Sequence, residues 1–522
     1  MSDVCIIAAP SGSNSCVEAG LARVSGWKAS PVNVVFPPYR GCGKNLPWLR
    51  IQIIPGRARI MVFTDVFERF VAESPISVMA RAILENVCAP GKLDSLFERV
   101  ADRQYTRELL FSTVVDLMCS VVCRINPSLR QAYLNQQTKV AVSTKAMYEK
   151  VNRLELGVSR ELVRHFARQG ELIIREMKGT RRPLLKGYRC RILDGNHLRG
   201  TDHRLKVLRQ TGAGALPGHA LVLLDPELML AVDVFPCADG HAQERSILPE
   251  VLPSIFRDDL VIADRNFCTT QFVFGIRRKN AFFLIRRHSR NLHARTVGRC
   301  RFVGKTKTGM IYEQTAILTD LETGEELTCR QITVKLKKPT RDGDTEIELL
   351  TNVPAEDADA LVIADLYLRR WTLETAFQEV TMHLKCELNT LGYPPAALFG
   401  FCVALSCYNM LGILKGALCA THGEARLKED VSNYQLAAEI SGIYRGMMIA
   451  IPPPEWESFQ TMTVPKLSQT LLRFARRIQM TKLQKYPRGP KKPQPKKKSA
   501  QFQHVSTAKL LAAARQKKKK PK

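Results

Sequence analysis

The hydrophobic period of this chain changes near Tyr188, and this change limits the possible folds more than any other feature. Residues 62–178 repeat apolar side chains every three to four positions, as in "DVFERFVAESPISVMARAILENV", which is typical of amphipathic helices. From residue 188 the apolar residues form short β-branched runs separated by turns, among them "YRCRILDGNHL", "HALVLLD" and "LMLAVDVFP". "LVIAD" has the continuous apolar character of a buried parallel strand, and "TTQFVFGIRRKN" after it is helical. The sequence therefore predicts a helical region followed by a mixed α/β sheet.

Basic residues outnumber acidic ones strongly. Lys and Arg total 78 against 49 Asp and Glu, a formal net charge of +29. Such an excess favours a polyanionic partner, and nucleic acid is the first candidate, with an anionic membrane surface as the alternative. The tail 481–522 contains no acidic residue and supplies about half of the charge of +29. We expect this tail to be disordered and to contact phosphates, the alternative being a solubilising appendage.

The pattern divides the chain into segments. Ser143 and Ser159 are the predicted N-caps of two helices in the helical region. This region is predicted to bind DNA, and a plain helical bundle without that role is the alternative. Met61 could be the true start of the chain. The predicted segments are a loose leader (1–60), a helical DNA-binding domain (61–180), an α/β core (181–288 and 354–420), an all-β insertion (289–353), a helical region (421–480) and a basic disordered tail (481–522).

The apolar stretch Ala396 to Leu414 has the length of a membrane span. Because Ser406, Tyr408 and Asn409 lie within it and no second span accompanies it, we expect a buried core helix and no membrane partner. The start "MSDVCIIAAP" lacks the basic region of a secretory signal. The 15 cysteines show no CxxC pair, which indicates reduced thiols in a cytosolic protein without structural zinc, with Cys119 and Cys123 in the core.

Two aspartates follow predicted strands. Asp194 ends "CRILD" and Asp264 ends "LVIAD". In open α/β sheets, functional groups gather at the carboxyl ends of strands, although an aspartate there can also simply cap a turn. Converging carboxylates repel each other unless cations lie between them, and oxygen ligands suit Mg²⁺ or Mn²⁺. Two such ions about 4 Å apart support phosphodiester chemistry.

A third carboxylate lies in "YLRRWTLETAFQEVTMHLK", which we predict to be one helix from Tyr367 to Lys385. Spacings of three and four place Tyr367, Arg370 and Glu374 on one face of that helix. The alternative to a functional face is a solvated face with an Arg–Glu pair of little energetic value.

Together these blocks resemble the DDE transposases of the insertion-sequence-four family. Asp194 in "LDGNHL", Asp264 in "ADRNF" and Glu374 follow the order of the triad, and Tyr367, Arg370 and Glu374 have the spacing of the family's signature. The resemblance covers roughly residues 140–415. It implies a ribonuclease-H-like mixed sheet flanked by helices, interrupted by the all-β insertion before the glutamate. The signature ends in a Lys seven residues after the glutamate, where this chain has Thr381. Lys385, one turn further on, returns to nearly the same helix face and is expected to reach the same DNA backbone, the alternative being an altered contact or a copy that has lost some activity.

The resemblance also implies roles for these residues. Asp194, Asp264 and Glu374 would be catalytic and hold the metal, two Mg²⁺ or Mn²⁺ ions. Tyr367, Arg370, Trp371 and Lys385 would contact DNA, although Trp371 could equally be a core residue.

The predicted function is therefore a transposase that binds terminal inverted repeats and cleaves and joins DNA. It would act as a homodimer in a synaptic complex with transposon ends and target, in the bacterial cytoplasm at the nucleoid. The alternatives are a catalytically degenerate DNA-binding protein and a simple ribonuclease-H-like nuclease. The intact triad argues against the first alternative, and the insertion and basic tail argue against the second.

Overall fold

The computed structural model of the chain describes most of the residues after the first 62. These are residues 63–104, 108–137, 140–198, 205–209, 211–288, 292–340, 343–370, 384–385, 388, 390–485 and 504–519. Thr64–Lys522 forms one compact unit. The predicted leader 1–60 lies outside the described residues.

Among the described residues, seven helices precede the sheet, as the apolar period predicts. They are α1 (Asp65–Glu73), α2 (Pro75–Val87), α3 (Pro90–Val100), α4 (Phe111–Val122), α5 (Leu129–Asn135), α6 (Thr144–Arg153) and α7 (Leu156–Glu176). Ser143 is the N-cap of α6, and its side chain accepts a hydrogen bond from the Ala146 amide. The second predicted cap is wrong, because α7 begins after Glu155 and Ser159 lies buried inside the helix. Glu155 instead accepts backbone hydrogen bonds from residues 102–104.

In the described part of the chain that follows, ten strands form up to β10, and nine of them make one sheet. They are β1 (Arg189–His197), β2 (Gly214–Leu216), β3 (His219–Asp225), β4 (Leu230–Cys237), β5 (Asp259–Ala263), β6 (Phe282–Arg286), β7 (His293–Lys305), β8 (Gly309–Thr319), β9 (Glu326–Leu336) and β10 (Glu346–Thr351). The sheet order is β4-β3-β1-β5-β6-β10-β9-β8-β7. Strands β1, β5 and β6 are parallel to one another. Strand β3 pairs antiparallel with β1, and β4 pairs antiparallel with β3, so β4 runs in the same direction as β1. This arrangement of β4, β3, β1, β5 and β6 is the ribonuclease-H-like core that the resemblance implied.

Short helices connect the core strands. The segment after β4 is broken into a 3-10 turn (Glu244–Ile247), the one-turn helix α8 (Leu248–Val251) and a second 3-10 turn (Leu252–Ser254). Pro249 and Pro253 account for the breaks, because proline lacks the amide that a continuous helix requires. Helix α9 (Thr270–Arg278) connects β5 to β6, and α10 (Ala360–Leu368) follows β10.

The all-β insertion is not a separate sheet. Its strands β7 to β10 form as predicted, without an intervening helix among the described residues, but β10 pairs antiparallel with β6. The insertion therefore extends the core sheet by four strands. A pattern of alternating residues predicts strands but not which existing strand they pair with. The pairing of Leu350 in β10 with Ile285 in β6 joins the insertion to the core sheet.

The helix Pro394–His422, called the central helix below, is long and apolar enough to cross a membrane, and its most apolar window is wholly buried inside the protein. It packs against α2, α4, α6, α7 and β4. Two of its buried polar side chains, Ser406 and Asn409, are hydrogen-bonded within the protein. Ser406 donates to the Cys402 carbonyl at 2.9 Å. Asn409 accepts from the Ala231 amide at 2.7 Å and donates to the Ala231 carbonyl at 2.9 Å, so it covers the outer edge of β4. The prediction of a core helix is confirmed, and Cys119 and Cys123 are buried as expected.

The tail 481–522 is not disordered throughout, which corrects the expectation from its composition. His504–Ser506 forms strand β11, which pairs in parallel with β2, and Thr507–Lys519 is a helix. Ser506 and Thr507 are buried, and Lys509 forms an ion pair with Asp239 at 3.0 Å. Backbone pairing to an available strand edge needs no apolar core, which is why charge composition alone missed it. Residues 486–503 lie outside the described residues.

Candidate active site

Strand register places two carboxylates side by side at the carboxyl edge of β1 and β5. The last aligned pair of these parallel strands is Leu193 with Ala263. The next residue on each chain segment is Asp194 and Asp264, respectively. Because neighbouring strands lie about 4.8 Å apart, the two aspartates lie next to each other. The sequence predicted their convergence from strand ends alone, and the register supplies the reason.

The two positions differ in one detail from the prediction. Asp264 directly follows β5, as expected. Asp194 does not end its strand, because β1 continues to His197 through pairing with the longer antiparallel strand β3. Asp194 therefore lies within a strand and pairs with Val222 of β3, whereas Asp264 precedes the 3-10 turn Arg265–Phe267.

A basic residue that the sequence did not indicate lies at the same level on the third strand. Strand β6 pairs with β5 so that Ile285 aligns with Ala263, which places Arg286 beside Asp264. Arg286 donates to Asp344 at 2.6 Å, and this hydrogen bond lowers the pKa of the Asp344 carboxyl. The sequence "FLIRRH" does not distinguish Arg286 from its neighbours. Only the alignment of Ile285 with Ala263 shows that Arg286, the next residue, lies at the level of Asp264. The edge thus carries Asp194, Asp264 and Arg286 on three neighbouring strands.

Asp194 is held by contacts that are typical of a carboxylate with a fixed orientation. Its Oδ1 accepts from the Gly195 amide at 2.9 Å, and its Oδ2 accepts from the Arg370 guanidinium at 2.9 Å. Only 18% of the Asp194 side chain and 11% of the Arg370 side chain are exposed. Arg370, predicted as a DNA contact, therefore lies directly at the carboxylate pair.

Tyr367 lies against the second aspartate. Its hydroxyl is 3.5 Å from Asp264 Oδ1, and its ring is buried. Burial, followed by the neighbouring Asp264 carboxylate, raises the pKa of Tyr367 above its ordinary range. The phenol consequently stays protonated and donates at neutral pH.

The predicted helix from Tyr367 to Lys385 is wrong in its extent. Helix α10 ends at Leu368, and the Arg370 amide bonds to the Tyr367 carbonyl at 3.0 Å in a tight turn. Leu384 and Lys385 are not helical. Tyr367 and Arg370 thus reach the two aspartates from a helix end and the following turn. The spacing of apolar residues predicted a longer helix because this spacing does not report the tertiary contacts at which a helix ends.

Lys385 does not lie on a shared helix face with the signature residues. Its amide donates to the Val122 carbonyl at 2.8 Å, and its ammonium donates to the Pro127 carbonyl at 2.6 Å. Those contacts hold Lys385 at the end of α4, so Lys385 does not reach the site through a shared helix face. Its contact with DNA stays a prediction.

The predicted Glu374, Trp371 and Thr381 lie outside the described residues. Within the described ranges no group of three or more His, Cys, Asp or Glu side chains could hold a metal ion. The two aspartates therefore account for only part of the predicted site, and the position of Glu374 stays a prediction.

Comparisons with known proteins bear on this region. Residues 185–410 match the family model of the transposase DDE domain, which spans less than half of the chain and includes Asp194, Asp264 and Arg370. The solved structure of a piggyBac transposase synaptic complex with hairpin DNA is 11% identical, with a TM-score of 0.36, and the comparison covers 83% of this chain and 87% of that chain. No curated protein matches the chain. The family match supports a DDE transposase domain around the paired aspartates.

Proposed function

We propose that this protein is a DDE transposase of the insertion-sequence-four type, which binds the terminal inverted repeats of its element and catalyses metal-dependent DNA cleavage and strand transfer. The observation that carries the proposal is the register that places Asp194 next to Asp264 inside the region matched by the transposase DDE domain. The formal charge of +29 is consistent with a DNA partner.

The residues at the edge fit hard divalent cations. Asp194 and Asp264 offer only oxygen ligands, and two carboxylates on neighbouring strands gain most from a cation between them. We propose that they hold two Mg²⁺ or Mn²⁺ ions together with Glu374. When bound, such ions activate an attacking oxygen and stabilise the leaving oxygen of a phosphodiester.

The protein's own residues orient this site and the DNA. The protonated Tyr367 hydroxyl donates toward Asp264 and so fixes the direction of that carboxylate. Arg370, whose planar guanidinium can bind a phosphate in two places, pairs with Asp194 in the protein alone and would turn toward a DNA phosphate in the complex. Arg286 adds a second cation at the same edge.

The assembly and the location are further parts of the proposal. Joining two transposon ends to one target calls for a homodimer in a synaptic complex, with Trp371 near the DNA. The tail 481–522 would add phosphate contacts, and the protein would act in the bacterial cytoplasm at the nucleoid.

A DNA-binding protein without catalytic activity is the second candidate function. The residue that favours it is Thr381, which stands where the signature of the resembled family has a lysine. The two candidates differ in cleavage and not in binding, because affinity for DNA comes mainly from basic residues.

The test uses Glu374→Gln and Asp264→Asn, which keep the size of the side chain and remove its charge. The substrate is a duplex taken from the DNA that flanks the coding sequence, where the proposal expects imperfect inverted repeats at the ends. Both variants should bind this duplex as the wild type does and lose Mg²⁺-dependent cleavage. Full cleavage by Asp264→Asn would refute the site. A wild type that binds the ends but cuts them with neither Mg²⁺ nor Mn²⁺ would favour the second candidate.

A further inference from the structure

A fourth acidic side chain, Glu244, lies behind the two aspartates and touches both segments that carry them. It is the first residue of the 3-10 turn Glu244–Ile247, which follows β4. Its side chain is 17% exposed. Acidic residues at the start of a helical turn are common and often only favour the helix dipole, so the contacts of this one decide its role.

The first contact is with β1. A Cβ atom added at Gly195 would lie 2.0 Å from Glu244 Oε1 and 2.7 Å from its Cδ. The carboxylate therefore fills the space in which any side chain at position 195 would lie. Gly195 directly follows Asp194, and its amide donates to the Asp194 carboxylate at 2.9 Å. Glu244 thus lies against the backbone that orients the first aspartate.

The second contact is with the turn after β5. Glu244 Oε2 accepts from the Asn266 side-chain amide at 3.4 Å. Asn266 lies two residues after Asp264, in the 3-10 turn that Asp264 begins. Glu244 Oε1 is also 3.8 Å from His197 Nδ1, at the end of β1. One carboxylate therefore links the segment of each aspartate.

The position of Glu244 is fixed by the core beneath it. Ile247 and Leu248, just after Glu244, belong to the same buried cluster as Leu193 and Ala263. These last two residues immediately precede Asp194 and Asp264. Because side chains alternate along a strand, Leu193 and Gly195 face this cluster while Asp194 faces away from it.

We propose that Glu244 is a positioning residue for the metal site: its carboxylate, wedged between Gly195 and Asn266, sets the separation and direction of Asp194 and Asp264. The proposal rests on the proposed function, in which these aspartates hold metal ions. Groups that support metal ligands from behind typically contribute 10–100-fold to metal affinity. Since Glu244 acts on the backbone neighbours of the ligands, we expect an effect near the lower end, about 10-fold.

The test measures Mn²⁺ affinity calorimetrically on the full chain without DNA, together with thermal unfolding in EDTA. The binding heat that is present in the wild type and absent in Asp264→Asn is assigned to the metal site. Glu244→Ala should weaken this binding about 10-fold with an unchanged unfolding temperature, and Glu244→Gln, which keeps the acceptor for Asn266, should restore most of it. Glu250→Ala is the matched control, because Glu250 is exposed on the same connecting segment.

Gly195→Ala provides an independent perturbation. The three nearest atoms to the added methyl group all belong to Glu244, the third at 3.4 Å, so the carboxylate must swing away while the backbone can stay. Gly195→Ala should therefore weaken Mn²⁺ binding as Glu244→Ala does. In the Glu244→Ala background it should add almost nothing, which is the non-additivity expected of one shared contact.

The outcomes separate the two levels of the argument. Binding that depends on Asp264 but is unaffected by Glu244→Ala overturns the positioning role and leaves the proposed function intact. Additive effects of the two variants, or a lowered unfolding temperature that accounts for the loss, also overturn it. If the wild type binds no Mn²⁺, or if Asp264→Asn leaves its Mn²⁺ binding unchanged, both the positioning role of Glu244 and the proposed function are overturned.

Discussion

Asp233 is the buried carboxylate on which the docking of helix α7 against strand β4 depends. Arg160 and Arg164 each donate from Nε to its Oδ1 at 2.9 Å. Their terminal nitrogens reach its Oδ2 at 2.9 and 2.8 Å, and Ser254 donates to the same oxygen at 2.6 Å. Its side chain is only 3% exposed. We therefore expect Asp233→Ala to lower the free energy of unfolding substantially without removing any residue of the candidate site.

The magnitude follows from what the substitution leaves behind. Removing one partner of a buried ion pair costs about 3–5 kcal/mol, because the remaining charge is buried without compensation. The arginine side chains are 20% and 32% exposed, so both can regain part of their hydration. That places the expected loss at the lower end, about 3 kcal/mol. Urea unfolding should show a lower midpoint with an unchanged slope.

The control is an exposed pair in the same protein. Arg295 and Glu326 lie 3.4 Å apart with 54% and 51% of their side chains exposed. Glu326→Ala should cost less than about 1 kcal/mol, since water and salt screen such a pair. The reasoning fails if Asp233→Ala and Glu326→Ala have the same effect, or if Asp233→Ala costs less than about 1 kcal/mol.

The same contacts predict a pH dependence with a definite sign. Burial raises the pKa of Asp233, but the hydrogen bonds from Arg160 and Arg164 outweigh it and hold the pKa below its ordinary value. A depressed pKa in the folded state means that the stabilisation is fully present above the unfolded pKa of about 3.9. It is lost as the pH falls through the lower, folded pKa. The stability difference between wild type and Asp233→Ala should thus stay constant from neutral pH to about pH 5 and shrink below about pH 4, and a difference that persists unchanged at lower pH would contradict this.

Three further predictions concern the DNA contacts, the tail and the packing of the central helix. Arg370→Ala should weaken binding of the element's ends and slow cleavage by about 100-fold, since misplacement alone can have that effect, and wild-type binding and cleavage in the variant would show that Arg370 is dispensable. Deleting residues 481–522 should flatten the dependence of DNA affinity on salt concentration, because fewer phosphate contacts release fewer counterions, and an unchanged slope in a salt titration would assign the tail no DNA contact. Gly179→Ala should destabilise the protein by about 1–3 kcal/mol in urea unfolding, because its Cβ would lie 2.2 Å from the Gly416 carbonyl oxygen. Gly157→Ala, with open space around its Cβ in α7, should instead stabilise by about 0.4–1 kcal/mol, and equal effects of the two would refute the packing argument.

The sequence by itself determined the strands and most of the helices, because these depend on local periodicity. The run "HALVLLD" coincides with β3, His219–Asp225, and "LVIAD" predicted a buried parallel strand that β5 confirms. The signature spacing also singled out Tyr367 and Arg370, both of which lie at the paired aspartates. These signals are carried by residues close together in the chain, so one sequence suffices to find them.

The tertiary structure alone decided what depends on residues far apart in the chain. Register between β1 and β5 places Asp194 beside Asp264, and register between β5 and β6 adds Arg286, which no local pattern indicates. The pairing of β10 with β6 joins the insertion to the core sheet, and the contact of Glu244 with Gly195 spans two separate segments. The docking of β11 on β2 orders part of a tail whose composition predicted disorder. Strand pairing and close packing depend on the free energy of the whole fold. The effect of a free strand edge, or of a glycine without a Cβ, depends on which distant segment packs against it.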